Sequence, residues 1–240
     1  MLMYAVHVGN GYASSQLEAG LSLLSRDKER RIRQLVRRED QVRSTAGQLL
    51  SAWLISAYRG VFPESSQLTR TTYGKPYWLA DPECCFNISH SGEWVVGVIG
   101  GVPVGIDVEE VQDIDLSVSD MVFSAPEREA LSARKGADAR EYFYTLWTCK
   151  ESCLKAMGTG FSYPPRDITI QPEAGHLHIQ DGDRLIPYTL RMYDALGSGY
   201  KLAVCARGMG SKLPLQPEML DAGELLEACC LQRLDDTLCK

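Results

Sequence analysis

Two carboxylates in the stretch GIDVEE, Asp107 and Glu109, stand two residues apart. In an extended strand that spacing points both side chains to one face, with Val108 turned the other way into a core. Two carboxylates that look the same way repel each other. Either a cation lies between them or one of them holds a proton. A hard, oxygen-seeking divalent cation such as Mg²⁺ suits the pair, since Mg²⁺ keeps waters and phosphate oxygens in its shell. The same pattern also fits a hydrated edge strand, and D-x-E alone does not separate the two.

A third carboxylate lies in LWTCKESCLKAMGTGF, Leu146 to Phe161. Phe143, Leu146, Trp147, Leu154 and Met157 form an apolar stripe at helical spacing, and Glu151 sits on its edge, one turn before Lys155. Read on the helix alone, the pair is a salt bridge. Read with Asp107 and Glu109, Glu151 would join a metal site and Lys155 would face a phosphate. FNISHSG places Ser89, His90 and Ser91 in a turn between two strands, and TTYGKPYW is turn chemistry that presents Lys75 between Gly74 and Pro76. From Arg26 to Ser44 the chain gathers Arg26, Lys28, Arg30, Arg31, Arg33, Arg37, Arg38 and Arg43. That run reads either as a localised anion site or as a solvated helix paired with Glu29, Glu39 and Asp40.

Several chemistries are excluded. No G-x-x-x-x-G-K-[ST] loop is present, nor a dinucleotide-binding glycine fingerprint after the first strand, nor a G-x-S-x-G elbow. The eight cysteines form no C-x-x-C pair, which argues against a zinc site and favours reduced, mostly buried thiols, with Cys239 exposed in the tail. A net charge of −6 argues against a nucleic-acid partner. No apolar run approaches the roughly 18–20 residues that span a bilayer. The start reads as a strand rather than a leader peptide, so the expected compartment is the cytoplasm.

The elements that must hold these residues follow from periodicity. Residues 2–8 read as a strand. Asp27 to Tyr58 reads as one bent helix or two, stopped by Gly60 and Pro63. From residue 84 the pattern is strand, polar turn, strand, Gly-Gly turn, strand. A short helix falls within 121–136 and a long one over 139–157, with Gly158 as its C-cap. Strands follow at Ile168–Gln171, His176–Ile179, Tyr188–Tyr193 and Tyr200–Ala206. Each half thus runs a helix and then an antiparallel meander. The expected organisation is an α+β fold with one subdomain over 1–103, a second over 104–210, and an appendage over 211–240 set off by Pro214 and Pro217.

The ordered set YGKP, FNISHSG, GIDVE and FYTLWTCKESCLKAMGTGF resembles the 4′-phosphopantetheinyl transferases, in the long form with two similar α/β subdomains in pseudo-twofold arrangement. The resemblance runs from about Lys28 to Ala206. It implies coenzyme A as donor, the serine of an apo acyl or peptidyl carrier protein as acceptor, and adenosine 3′,5′-bisphosphate as the product released. It further implies Mg²⁺ on Asp107, Glu109 and Glu151, with Lys155 on the pyrophosphate. Lys28, Arg31, Ser44, Ser89, His90 and the turn Gly74-Lys75-Pro76 would gather the 3′-phosphate and adenosine end, with Arg43 beside them. Position 31 holds Arg where the family commonly has Lys, and position 44 holds Ser where it often has Thr. Glu151 and Glu127 are both candidates for the base that takes the serine proton. A monomer is expected, because both halves lie in one chain. The competing expectations are a Mg²⁺-dependent hydrolase of the coenzyme's pyrophosphate and a non-catalytic coenzyme A-binding protein.

Overall fold

The structure is a computed structural model and describes residues 1–9, 13–173, 176–181, 184–208, 210 and 212–238. The first half contains β1 (Leu2–His7), α1 (Ser14–Ser22), α2 (Arg26–Arg33), α3 (Arg38–Arg59), the short strands β2 (Leu68–Arg70) and β3 (Pro76–Trp78), then β4 (Cys85–Ser91) and β5 (Trp94–Gly100). The second contains β6 (Val104–Glu110), α4 (Ser119–Val122), α5 (Ala125–Ser132), α6 (Gly136–Met157), β7 (Ile168–Glu173), β8 (His176–Asp181), β9 (Arg184–Leu185), β10 (Tyr188–Tyr193) and β11 (Tyr200–Arg207). The chain closes with β12 (Glu218–Asp221) and α7 (Ala222–Leu238).

Each half is organised by one long helix on a sheet. α3 and α6 are both 22 residues long, and each ends on a glycine in the left-handed region, Gly60 at φ 71° and Gly158 at φ 74°. Only glycine takes that conformation without steric cost, so it stops the helix and turns the chain. α3 buries Val42, Leu49, Leu50, Leu54 and Ile55 against the sheet β12-β1-β5-β4. α6 buries Phe143, Leu146, Cys153 and Leu154 over the sheet β6-β11-β10-β8-β7. A third apolar cluster joins the halves, with Met3, Ala5, Val96 and Val98 meeting Val104, Ile106, Val108 and Leu202.

Between β4 and β6 side chains take over the role of a backbone ladder. The Asn87 carbonyl oxygen accepts the Ile106 N–H at 3.0 Å, and the Ser91 hydroxyl accepts the Glu110 N–H at 3.0 Å. That seam sets Ser89 on β4 beside Asp107 on β6. On α6, Glu151 and Lys155 reach the same place, because α6 lies on β6 with no gap. A Cβ at Gly105 would overlap the Ser152 carbonyl oxygen and the Ala156 nitrogen.

Of the two alternatives for the basic run, the two-helix form holds: α2 and α3, with Gln34–Arg37 between them. Two expectations are corrected. Ser89, His90 and Ser91 lie in β4, and the turn itself is Gly92-Glu93. The appendage expected over 211–240 is overturned for its described residues, 212–238: β12 pairs in parallel with β1, and α7 packs on α3 through Leu225, Leu226 and Cys229. Strand pairing and an apolar helix face outweigh the two prolines that read as a boundary. The seven described cysteines are free thiols, and Cys239 lies outside the described residues.

Candidate active site

A cleft of about 840 Å³ lies between the two halves. One group of lining residues comes from the first half: Lys28 and Arg31 on α2, Ser44 on α3, Arg70 on β2 and Pro76 on β3. The other gathers Ser89 and His90 from β4, Asp107 and Glu109 from β6, and Trp147, Glu151 and Lys155 from α6. Alternation along β6 brings both acids to the cleft, as the D-x-E spacing requires, and Val108 is buried on the opposite face.

The acidic group is short of positive charge. Asp107 is only 2% exposed; its Oδ1 accepts from Lys155 Nζ at 2.5 Å and from the Ser89 hydroxyl at 2.8 Å. Its other oxygen, Oδ2, is buried with no partner. Burial pushes the Asp107 carboxyl above the usual range, against the pull of Lys155. Glu109 accepts from the Trp147 indole N–H at 3.1 Å and from the Ser91 hydroxyl at 3.2 Å. Burial, then the charge of Asp107, pushes it up to about 7. Glu151 is also pushed up to about 7, by burial first; Lys155 opposes the rise and Asp107 adds to it. Glu151 Oε1 is buried and unpartnered.

Three carboxyls thus face one lysine, and two buried oxygens lack a donor, an arrangement that costs free energy until a proton or a cation satisfies it. An all-oxygen donor set of this kind fits a hard divalent cation. Among the described residues, no three acidic, histidine or cysteine side chains converge as a ready-made metal cluster. At Asp107 the Lys155 ammonium stands on Oδ1.

The basic group is short of negative charge. Lys28 donates to the Ser65 carbonyl at 2.8 Å, and burial, then the charge of Arg70, pushes its ammonium down to about 8. Arg70 donates to the Gly74 carbonyl at 2.7 Å. With Arg31, these residues set three cations on one wall, which suits a phosphate. The His90 imidazole is held below its ordinary value by desolvation, then by Arg43 and Lys155.

Four expected residues lie elsewhere. Arg43 donates to the Gly92 carbonyl at 2.9 Å and pairs with Asp40 at 2.6 Å, lining a separate hollow beside Glu93 and Glu110. Of the Gly74-Lys75-Pro76 turn only Pro76 lines the cleft. Gly74 shapes the turn at φ 83°, and Lys75 turns inward onto backbone carbonyls. Glu127 does not face the cleft at all. It is 3% exposed, pairs with the fully buried Lys150 at 2.7 Å, caps α5 through the Ser124 N–H and hydroxyl, and accepts the Ile170 N–H. A carboxylate so fully engaged is a structural anchor. The S-x-x-E spacing of Ser124 and Glu127 is a capping-box signal that could have shown this. Lys155 bonds Asp107 and Ser89 across the cleft, where the helix alone suggested Glu151. Trp147 and Arg70 are further site residues. In the sequence Trp147 belongs to the apolar stripe, and Arg70 carries no motif.

Residues 13–100 match the family described as 4′-phosphopantetheinyl transferase, N-terminal, and residues 103–205 match the 4′-phosphopantetheinyl transferase superfamily. A 4′-phosphopantetheinyl transferase of Bacillus subtilis is 33% identical over 207 residues, covering 86% of this chain and 92% of its own. The 4′-phosphopantetheinyl transferase Sfp of Bacillus subtilis strain 168 is 31% identical over the same shares. The 4′-phosphopantetheinyl transferase psf-1 of Bacillus pumilus is 34% identical over 193 residues, 80% of this chain and 81% of its own. On this likeness along nearly its whole length, the chain belongs to the 4′-phosphopantetheinyl transferase superfamily, in its long form with two α/β halves.

Proposed function

We propose that the cleft performs a Mg²⁺-dependent transfer of the 4′-phosphopantetheine arm from coenzyme A to the serine of an acyl or peptidyl carrier protein. The transferase activity goes with the family. The metal and the role of each residue are the proposal, and the observation that supports them is the pair of unpartnered buried oxygens on Asp107 and Glu151. Asp107, Glu109 and Glu151 would hold the ion. When bound, Mg²⁺ neutralises charge on the pyrophosphate and its leaving group.

The chain's own residues supply the rest. Lys28, Arg31, Ser44, Arg70, Ser89 and His90 take the 3′-phosphate and adenosine end, because Lys28, Arg31 and Arg70 set three cations on one wall of the cleft and Ser44, Ser89 and His90 line it beside them. Lys155, which lines the cleft and bonds Asp107 and Ser89, would face the pyrophosphate. The carrier serine Oγ attacks the phosphorus that bears the pantetheine arm. A new P–O bond forms, the bond to the bridging oxygen breaks, and adenosine 3′,5′-bisphosphate leaves with that oxygen. Glu151, which lines the cleft beside Asp107, accepts the serine proton. Glu127 is not available for that role, since Lys150, Ser124 and Ile170 use its oxygens.

The reading extends to a cytoplasmic monomer without nucleic-acid or membrane partners. Buried thiols suit a reducing compartment, and both halves of the cleft come from one chain. Among the described residues no helix is long and apolar enough to cross a membrane. The test is the intact mass of apo fatty-acid, polyketide and peptide carrier proteins after incubation with coenzyme A and Mg²⁺. A gain of one phosphopantetheine identifies activity and acceptor together. Phosphopantetheine released at the same rate without any carrier would make the protein a hydrolase, and coenzyme A binding without turnover would make it a sensor.

A further inference from the structure

Lys75 occupies a place that the transfer chemistry leaves unexplained. Its turn is tightly built: Gly74 N–H donates to the Thr71 carbonyl at 2.9 Å and Thr71 N–H to the Lys75 carbonyl at 2.8 Å. The turn does not present the lysine to the cleft. The side chain runs inward and its ammonium meets three carbonyls, Lys155 O at 2.7 Å, Val104 O at 3.0 Å and Ala156 O at 3.3 Å. An ammonium has three donors and no acceptor, so three carbonyls use it fully.

These carbonyls mark where three elements meet. Lys155 and Ala156 lie in the last turn of α6, whose carbonyls lack intrahelical partners and carry the negative end of the helix dipole. The Gly158 N–H satisfies Leu154 O at 2.9 Å, and Lys75 takes the next two carbonyls. Val104 opens β6, three residues before Asp107. Beside it, Gly105 brings β6 against the backbone of Ser152 and Ala156. One ammonium from the β2–β3 turn therefore holds the backbone of Lys155 and the start of the strand that carries Asp107 and Glu109. Burial pushes that ammonium down to about 8, with the Cys85 and Cys205 thiols opposing the fall.

We infer that Lys75 is a positioning residue of the transfer site: it fixes the backbone of Lys155 against β6 and does not itself bind the donor. The inference rests on the transferase reading. It assigns the β2–β3 turn two tasks on two faces, with Arg70 and Pro76 toward the donor and Lys75 toward the frame of the reacting groups.

The test is Lys75→Met, which keeps the length and apolar stem and removes the donors, assayed by carrier loading beside the wild-type protein. Misplacement by about 1 Å costs about 10²-fold in rate, so kcat falls on that order while KM for coenzyme A stays within about twofold. Affinity for adenosine 3′,5′-bisphosphate, measured by titration calorimetry, is unchanged. Lys75→Gln, whose amide can still donate to carbonyls, recovers part of kcat, and it carries the same test if Lys75→Met does not fold. A KM that rises with kcat unchanged would make Lys75 a donor ligand and overturn the inference. A fall in melting temperature with kcat and KM both intact would also overturn it, by reducing Lys75 to a packing role. Failure of the wild-type protein to load any carrier is a separate result, and it removes the transferase reading instead.

Discussion

Replacing Glu151 by Gln removes the charge and keeps the shape, and the structure gives this change a sign that differs between stability and activity. The carboxyl rises from 4.5 to about 7 because burial disfavours its ionised form. Below about pH 4.5 the group is protonated in both the folded and unfolded chains and contributes no difference. Between there and about 7 the unfolded chain ionises while the folded chain keeps its proton, so stability falls as pH rises. Above 7 the loss is complete and constant. At about 1.4 kcal/mol for each tenfold in proton affinity, that rise is worth about 3 kcal/mol at pH 8. Glu151→Gln should therefore stabilise the metal-free protein at pH 8 by up to about 3 kcal/mol. For a chain of this size that is a rise in melting temperature of roughly 6–12 °C. Near pH 4.5 the two proteins should melt together. Carrier loading should move the other way and fall by about 10²–10⁴-fold, the contribution of a catalytic base. Thermal melts in chelator at pH 4.5 and 8, paired with loading rates, read both halves. A stability gain of the same size at both pH values, or none at pH 8, would show that the buried oxygen is already satisfied and would refute the reasoning.

Three further outcomes follow from other contacts. Leu225, 1% exposed on the face of α7 that meets α3, should cost about 2–5 kcal/mol when changed to Ala, and removal of 216–240 should leave insoluble protein; a truncated chain that stays soluble and loads carrier at the wild-type rate would contradict the packing of α7. Trp147→Phe keeps the ring and deletes the donor to Glu109 at 3.1 Å, so the Mg²⁺ concentration for half-maximal loading should rise about 10–100-fold, with an unchanged Mg²⁺ dependence as the contrary result. Lys28→Ala should raise KM for coenzyme A well above any change for its 3′-dephospho analogue, because Lys28 stands with Arg31 and Arg70 on the anion-binding wall; equal changes for both donors would remove the 3′-phosphate role.

The residues that the sequence brought into view are those whose placement depends on local period. Strand alternation aims Asp107 and Glu109 together, and helix spacing aims Glu151 and Lys155 to one side of α6. The pairing between those elements has no local signal. Lys155 is one turn from Glu151 and still bonds Asp107 and Ser89, because the seam of Asn87 and Ser91 brings β4 and β6 together. Turn chemistry at Gly74 and Pro76 is legible for the backbone and says nothing of where the Lys75 side chain goes; the open carbonyls ending α6 decide that. Glu127 was within reach, since Ser124 and Glu127 form a capping box and Lys150 adds a buried cation that needs a partner. The tail was within reach too. Leu225, Leu226 and Cys229 sit at helical spacing, but the strand that docks them pairs with β1 at the far end of the chain.

The account turns on a cation held by Asp107, Glu109 and Glu151 and a transfer that goes to serine rather than water. Single-turnover reactions of wild-type protein, coenzyme A and an apo carrier, with Mg²⁺ or with chelator, test both points at once by counting holo-carrier and adenosine 3′,5′-bisphosphate. With Mg²⁺ the two products should appear one for one, and with chelator, or with Asp107→Asn, neither should accumulate. Nucleotide released without matching holo-carrier, or equal loading in chelator, would contradict the account.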